Sequence, residues 1–185
     1  QTATEVRSRG FNTDADALVR SLREDLDCNL SGATVLLLGA GGAGRAAGLK
    51  LAAEGVQKLF LVNRTEARAV DLQTEICRRF TGVNVEVGPP AGPVDLVVNA
   101  TSLGLKNGDE LPLEASRFDL RTAGAVYDMI YRPAETAFLR AAKSAGCRIA
   151  NGLGMLLYQG TKALEIWSGQ PAPVDTMRRA LEQQL

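Results

Sequence analysis

The chain has 185 residues, 45% of them apolar, which is enough to bury one good core or to build one domain with appendages. Twenty-one lysines and arginines balance twenty-one acids, so charge gives no reason to expect a nucleic-acid or membrane-surface partner. Histidine is absent altogether, which removes the usual general acid–base group and the commonest metal ligand, so no metal site is expected and catalysis falls to Lys, Asp, Glu or Tyr.

No apolar run approaches the length of a membrane span, and the start carries no basic–apolar signal segment. Cys28, Cys77 and Cys147 are odd in number and widely spaced, mostly in apolar settings. They read as reduced packing residues of a cytoplasmic protein.

After a polar opening, Asn12-Thr13-Asp14 predicts the start of a helix running to about Asp25, with Leu18, Leu22 and Leu26 on one stripe. A strand is predicted near 34–38, a helix near 42–54, a strand near 58–62, a helix over about 66–80 and a strand near 83–87. Gly88 to Pro93 is a breaker before the strand Val94 to Val98. A long polar loop begins at Asn99. Then come a strand at 125–128, a helix near 134–145, a strand around 147–150, a helix reaching Trp167, and a last amphipathic helix from Pro173. This alternation predicts an α/β fold: a Rossmann-like doubly wound parallel sheet of about six strands with helices on both faces.

The densest signal is Gly39-Ala40-Gly41-Gly42-Ala43-Gly44, which follows a buried-strand pattern and opens a helix. Gly39 permits the tight turn, Gly41 lets a pyrophosphate approach the backbone, and Gly44 lets the helix pack close. The helix start offers free N–H groups and a positive dipole end to phosphate. The end of the next strand reads which dinucleotide is bound. Asn63 and Arg64 stand where a site for NAD usually carries Asp or Glu. A guanidinium can grip a 2′-phosphate that a carboxylate would repel. Arg68 lies one turn further on, and Thr65 is a candidate N-cap facing the same phosphate, so NADP is favoured.

Six segments in order carry a resemblance to the shikimate dehydrogenase family: Asn12-Thr13-Asp14; Gly39 to Gly44 with Asn63-Arg64-Thr65 and Arg68; Asn99-Ala100-Thr101-Ser102; Tyr127 to Pro133; Gly152 to Gln159; and Trp167-Ser168-Gly169. The resemblance implies NADPH-dependent reduction of 3-dehydroshikimate to shikimate, in aromatic amino-acid biosynthesis. It implies that Asp14 belongs to a catalytic Lys–Asp pair and that Asn12, Tyr131 and Gln159 bind substrate. Met129 and Gly152 would lie at the nicotinamide end, with Thr101 close by.

By the same resemblance the chain divides into three parts. Residues 1–30 are a hinge segment, 31–170 the NADP-binding domain, and 171–185 a helix that would pack on an amino-terminal substrate lobe. The family's serine-rich substrate motif and catalytic lysine belong to that lobe and have no counterpart in this chain. Lys50, Lys58, Lys106, Lys143 and Lys162 all lie in the nucleotide part. The chain alone is therefore expected to bind cofactor without turnover. It is also expected to self-associate, with a homodimer allowed, through an apolar face that includes the stripe on the first helix and part of the tail helix. Ala15, Ala17 and Leu105 depart from the common pattern. The competing readings are a quinate/shikimate dehydrogenase domain and a non-catalytic NADP-sensing module.

Overall fold

Runs of valine, leucine and isoleucine form the strands of one parallel sheet. A computed structural model of the chain describes residues 9–106, 108–114 and 116–183, so the polar opening at 1–8 lies outside the described residues. The strands are β1 (Thr34–Leu38), β2 (Lys58–Val62), β3 (Asn84–Val87), β4 (Val94–Asn99), β5 (Ala123–Asp128) and β6 (Arg148–Asn151). Their spatial order is β3-β2-β1-β4-β5-β6, with every neighbouring pair parallel. The order reverses beside β1, which makes the crevice between β1 and β4 a switch point. The register aligns the strand ends in a row: Val62 beside Leu38, Leu38 beside Asn99, Asn99 beside Asp128, and Asp128 beside Asn151.

Alternation along each strand sends side chains to two cores. Val35, Leu37, Leu59, Val98 and Tyr127 face α1 (Asp14–Leu26), α2 (Gly42–Ala53) and α3 (Glu66–Arg79). Leu36, Leu38, Val97 and Val126 face the other way, onto α4 (Ala137–Ser144) and the loop residues Leu113 and Phe118. Each buried leucine of this kind contributes about 2 kcal/mol of transfer free energy. Helices thus cover both faces. Helix α4 starts at Ala137, later than the sequence pattern predicts, because Thr136 caps it and accepts a bond from the Leu139 N–H at 3.2 Å. A short 3₁₀ turn at Leu120–Thr122, before β5, was not predicted.

Helix α1 lies along α5 (Leu153–Ser168) and beside α2. Its stripe of Leu18, Leu22 and Leu26 is 1%, 0% and 3% exposed and joins the core shared with the sheet. The exposed apolar face expected at this stripe is therefore absent. The chain's own sheet and helices fill it, which removes the basis for expecting self-association there. Helix α6 (Val174–Glu182) rests Val174, Met177 and Leu181 against Leu157 and Tyr158 of α5. Tyr158 ties three helices together: its hydroxyl donates to Glu24 of α1 and accepts from Arg178 of α6. Cys28 and Cys147 are buried, which pushes both thiols up. Cys77 differs from the packing role expected of it, because it lies exposed on the outer side of α3.

Candidate functional site

The glycine loop lies at the carboxyl end of β1. Gly39 adopts φ +102°, and a Cβ on it would lie 2.9 Å from the Ala100 carbonyl oxygen. Its N–H donates to the Val62 carbonyl at 2.7 Å, which draws the loop toward the end of β2. A Cβ on Gly44 would lie 2.0 Å from the Gly39 carbonyl oxygen. Gly41 and Gly42, by contrast, would point a Cβ into open space. No side chain caps the start of α2 and no acid occupies its first turn, so its leading N–H groups face outward with a positive dipole end. A groove of about 370 Å³ opens beside them, lined by Ala40, Gly41 and Gly42, by Arg45 and Arg68, and on its far side by Asp71, Leu72 and Glu75. Glu75 holds the Arg45 guanidinium through two bonds of 2.7 and 2.6 Å.

Both ends of the Asn63 amide are bonded. Its Oδ1 accepts from the Ala40 N–H at 3.0 Å, and its Nδ2 donates to the Thr65 carbonyl at 2.8 Å. The amide thereby fixes the glycine loop against the end of β2 and leaves the next residue, Arg64, exposed. Thr65 occupies the N-cap position of α3, but its hydroxyl makes no capping bond. The group engaged is instead its carbonyl, which accepts from Asn63 Nδ2 and the Arg68 N–H.

On the other side of β1, the ends of β4, β5 and β6 set Thr101, Met129 and Gly152 along the same edge of the sheet, with Gly152 against Met129 and Thr101 joined to them through Asn99. Asn99 Oδ1 accepts from both the N–H and the hydroxyl of Thr101, at 3.0 and 2.7 Å. The Asn99 carbonyl accepts from the Met129 N–H at 2.9 Å. A Cβ on Gly152 would lie 2.0 Å from the Met129 carbonyl oxygen, so only glycine allows these segments to touch. Tyr131, the next residue but one after Met129, is 39% exposed.

The residues expected to meet substrate are less closely joined. Asp14 is exposed at the first turn of α1, where the helix dipole favours a carboxylate. The Asn12 side chain accepts from the Asp14 N–H at 3.0 Å, so it starts the helix in place of Thr13. Gln159 is half-buried on α5. Among the described residues no hydrogen bond links Asp14, Tyr131 and Gln159. Lys50 is ion-paired with Asp16 and Glu54 rather than Asp14.

Asp128 and Ser21 are buried polar groups that the sequence pattern does not mark. Asp128 is fully buried at the end of β5 and accepts from Asn99, the Ile130 N–H and Thr136. Ser21, on the buried side of α1, bonds Asp25 at 2.6 Å and the Tyr127 hydroxyl at 2.9 Å. Burial pushes the Tyr127 phenol far up, so it stays protonated. Among the described residues no group of three or more His, Cys, Asp or Glu could hold a metal, and no helix is long and apolar enough to cross a membrane.

A glycine-rich turn at the carboxyl end of a central strand, beside a switch point, defines a Rossmann-like α/β protein. Comparisons narrow the class. Residues 21–102 match the family model described as shikimate / quinate 5-dehydrogenase, and residues 152–182 match the shikimate 5′-dehydrogenase C-terminal domain. The chain is 41% identical to a shikimate dehydrogenase (NADP(+)) of Desulforamulus reducens, over 95% of this chain and 63% of that protein. A shikimate 5-dehydrogenase from Thermus thermophilus, solved with NADP(H) and shikimate, superposes with a TM-score of 0.80 at 37% identity, covering 95% of this chain and 64% of that one. The ligand-free 5-ketofructose reductase of a Gluconobacter strain gives a TM-score of 0.81 at 33% identity, with 94% and 64% covered. The chain belongs to the shikimate dehydrogenase family, and spans slightly under two thirds of the length of these relatives.

Proposed function

We propose that this chain is the NADP-binding part of a shikimate dehydrogenase, an oxidoreductase reducing 3-dehydroshikimate to shikimate. The observation that carries the reading is the end of β2. Asn63 there is committed to the glycine loop, Arg64 stands exposed, and positions 63–65 carry no Asp or Glu where a carboxylate would accept from a ribose 2′-OH. The residues present fit the dinucleotide. The open positions at Gly41 and Gly42 admit a pyrophosphate to the backbone, and Arg64 with Arg68 would hold a 2′-phosphate. NADPH supplies a hydride when bound. Thr101, Met129 and Gly152 would form the wall at its nicotinamide end. Asn12, Tyr131 and Gln159 would hydrogen-bond substrate hydroxyls, which allows a site to reject analogues lacking them. Asp14 would hold and orient the ammonium of a catalytic lysine, which by resemblance is supplied from the substrate lobe. The three free thiols suit a cytoplasmic setting.

Calorimetric titration tests the cofactor assignment. NADP is expected to bind well and NAD weakly. Arg64→Ala is expected to weaken NADP by about tenfold or more, the loss of charge-assisted bonds, while leaving NAD unchanged. Equal loss for both cofactors would remove Arg64 from the phosphate site. The chain assayed alone is expected to turn over neither shikimate nor quinate. Robust 3-dehydroshikimate-dependent oxidation of NADPH would overturn the role given to a lysine outside it.

A further inference from the structure

We propose that Asp128 is a positioning residue: its buried carboxylate joins the loops after β4 and β5 into one rigid wall for the reactive half of the bound dinucleotide. The inference rests on the cofactor reading above. A carboxylate with 0% exposure is costly unless its oxygens are bonded. Here three donors converge on it. Asn99 Nδ2 reaches Oδ1 at 3.0 Å, the Ile130 N–H reaches the same oxygen at 3.1 Å, and the Thr136 hydroxyl reaches Oδ2 at 2.7 Å. Burial still holds the carboxyl above its ordinary range.

The bonds run outward from the strand ends rather than into the core. Asn99 passes the constraint to Thr101 through its Oδ1, and Leu103 is tied in turn to the Thr101 hydroxyl at 3.1 Å. Ile130 lies between Met129 and Tyr131, and its carbonyl accepts from the Gly152 N–H at 3.2 Å. Thr136 starts α4. One side chain therefore sets the geometry of Thr101, of the 129–131 segment and of the approach to Gly152. An apolar residue would fill the same strand position at lower cost, as Ala125 and Val126 do earlier in β5. The position of this network matters as much as its bonds. The row of strand ends puts Asp128 two strands from β1 on the side away from β2, whereas Asn63 and Arg64 end β2. A dinucleotide laid across the switch point with its adenosine phosphate at β2 places its other half over β4 and β5.

The position predicts a split that a merely structural role would not produce. The test measures affinity of the full 185-residue chain for NADPH and for adenosine 2′,5′-bisphosphate, which lacks the nicotinamide half. In Asp128→Asn the amide offers one acceptor oxygen to three donors. NADPH affinity is expected to fall by about tenfold, with that of the bisphosphate unchanged. Thr136→Val is expected to shift affinity the same way by a smaller factor, and Thr136→Ser to restore it. The serine rescue decides the matter if Asp128→Asn fails to fold. Equal weakening of both ligands, an unchanged NADPH affinity, or identical behaviour of the valine and serine variants would overturn the proposal. Failure of the unaltered chain to bind either ligand would instead overturn the cofactor reading, and this proposal with it.

Discussion

The expected result for Gly44→Ala is a loss of about 3 kcal/mol or more of stability, visible as a lowered melting temperature by circular dichroism. Alanine inside a helix ordinarily gains about 1 kcal/mol over glycine. At Gly44 that gain is outweighed, because the new methyl carbon would sit 2.0 Å from the Gly39 carbonyl oxygen. Both groups belong to backbone held by the sheet and by α2, so neither can rotate away. Gly41→Ala isolates the other role of the loop. Gly41 has φ −77° and ψ −165°, an extended conformation any residue adopts, and nothing lies within 4 Å of its notional Cβ. Its melting temperature is expected to stay within error of the parent, while calorimetry detects little or no NADP binding because the methyl occupies the pyrophosphate path. Normal NADP affinity in Gly41→Ala would mean that the cofactor does not cross the loop at this point.

Leu22→Ala is the second large effect. Leu22 is completely buried, in a cluster that also holds Leu37 and Tyr127 of the sheet. Truncation leaves a cavity bounded by two helices and the sheet, at a cost of about 3 kcal/mol. For a domain of this size that corresponds to a fall of about 10 °C in melting temperature, in a single transition. Leu22→Met keeps the volume and is expected to lose less than about 1.5 kcal/mol. A helix serving only as a hinge to another lobe would give a different result, since the sheet would then melt at the parent temperature.

Strand positions and the glycine loop were legible because local sequence dictates them. Val35 to Leu38 is apolar throughout, as a strand covered on both faces must be, and the glycines mark where the chain turns into α2. The packing of α1 was only half legible. Its leucine stripe was plain, but the partner was not, because Ser21 on the same buried side looks like an interruption until Tyr127, 106 residues away, supplies its bond. Gly154 belongs to the same contact: a Cβ on it would lie 2.1 Å from Asp25 Oδ2 and 2.4 Å from Ser21 Oγ, so α1 and α5 approach closely only with glycine there. Nothing in the local pattern of α5 announces that need. Sequence shows Asp128 only as one residue of the Tyr127–Pro133 motif, because the partners that make it a buried anchor, Asn99 and Thr136, lie on a different strand and at a helix start. Thr65 failed in the opposite way. Its type suits a cap, yet its carbonyl rather than its hydroxyl is the engaged group.

The strand order also bears on how such proteins diverge. Strands β2 and β4 lie on opposite sides of β1, so the residues proposed to grip the adenosine phosphate and those proposed to face the reactive ring are separate targets for mutation. They meet at one seam, where Gly39 lies against Ala100. As long as this seam is kept, changes on one side of β1 need not disturb the other, so the two halves of the proposed cofactor site can vary independently.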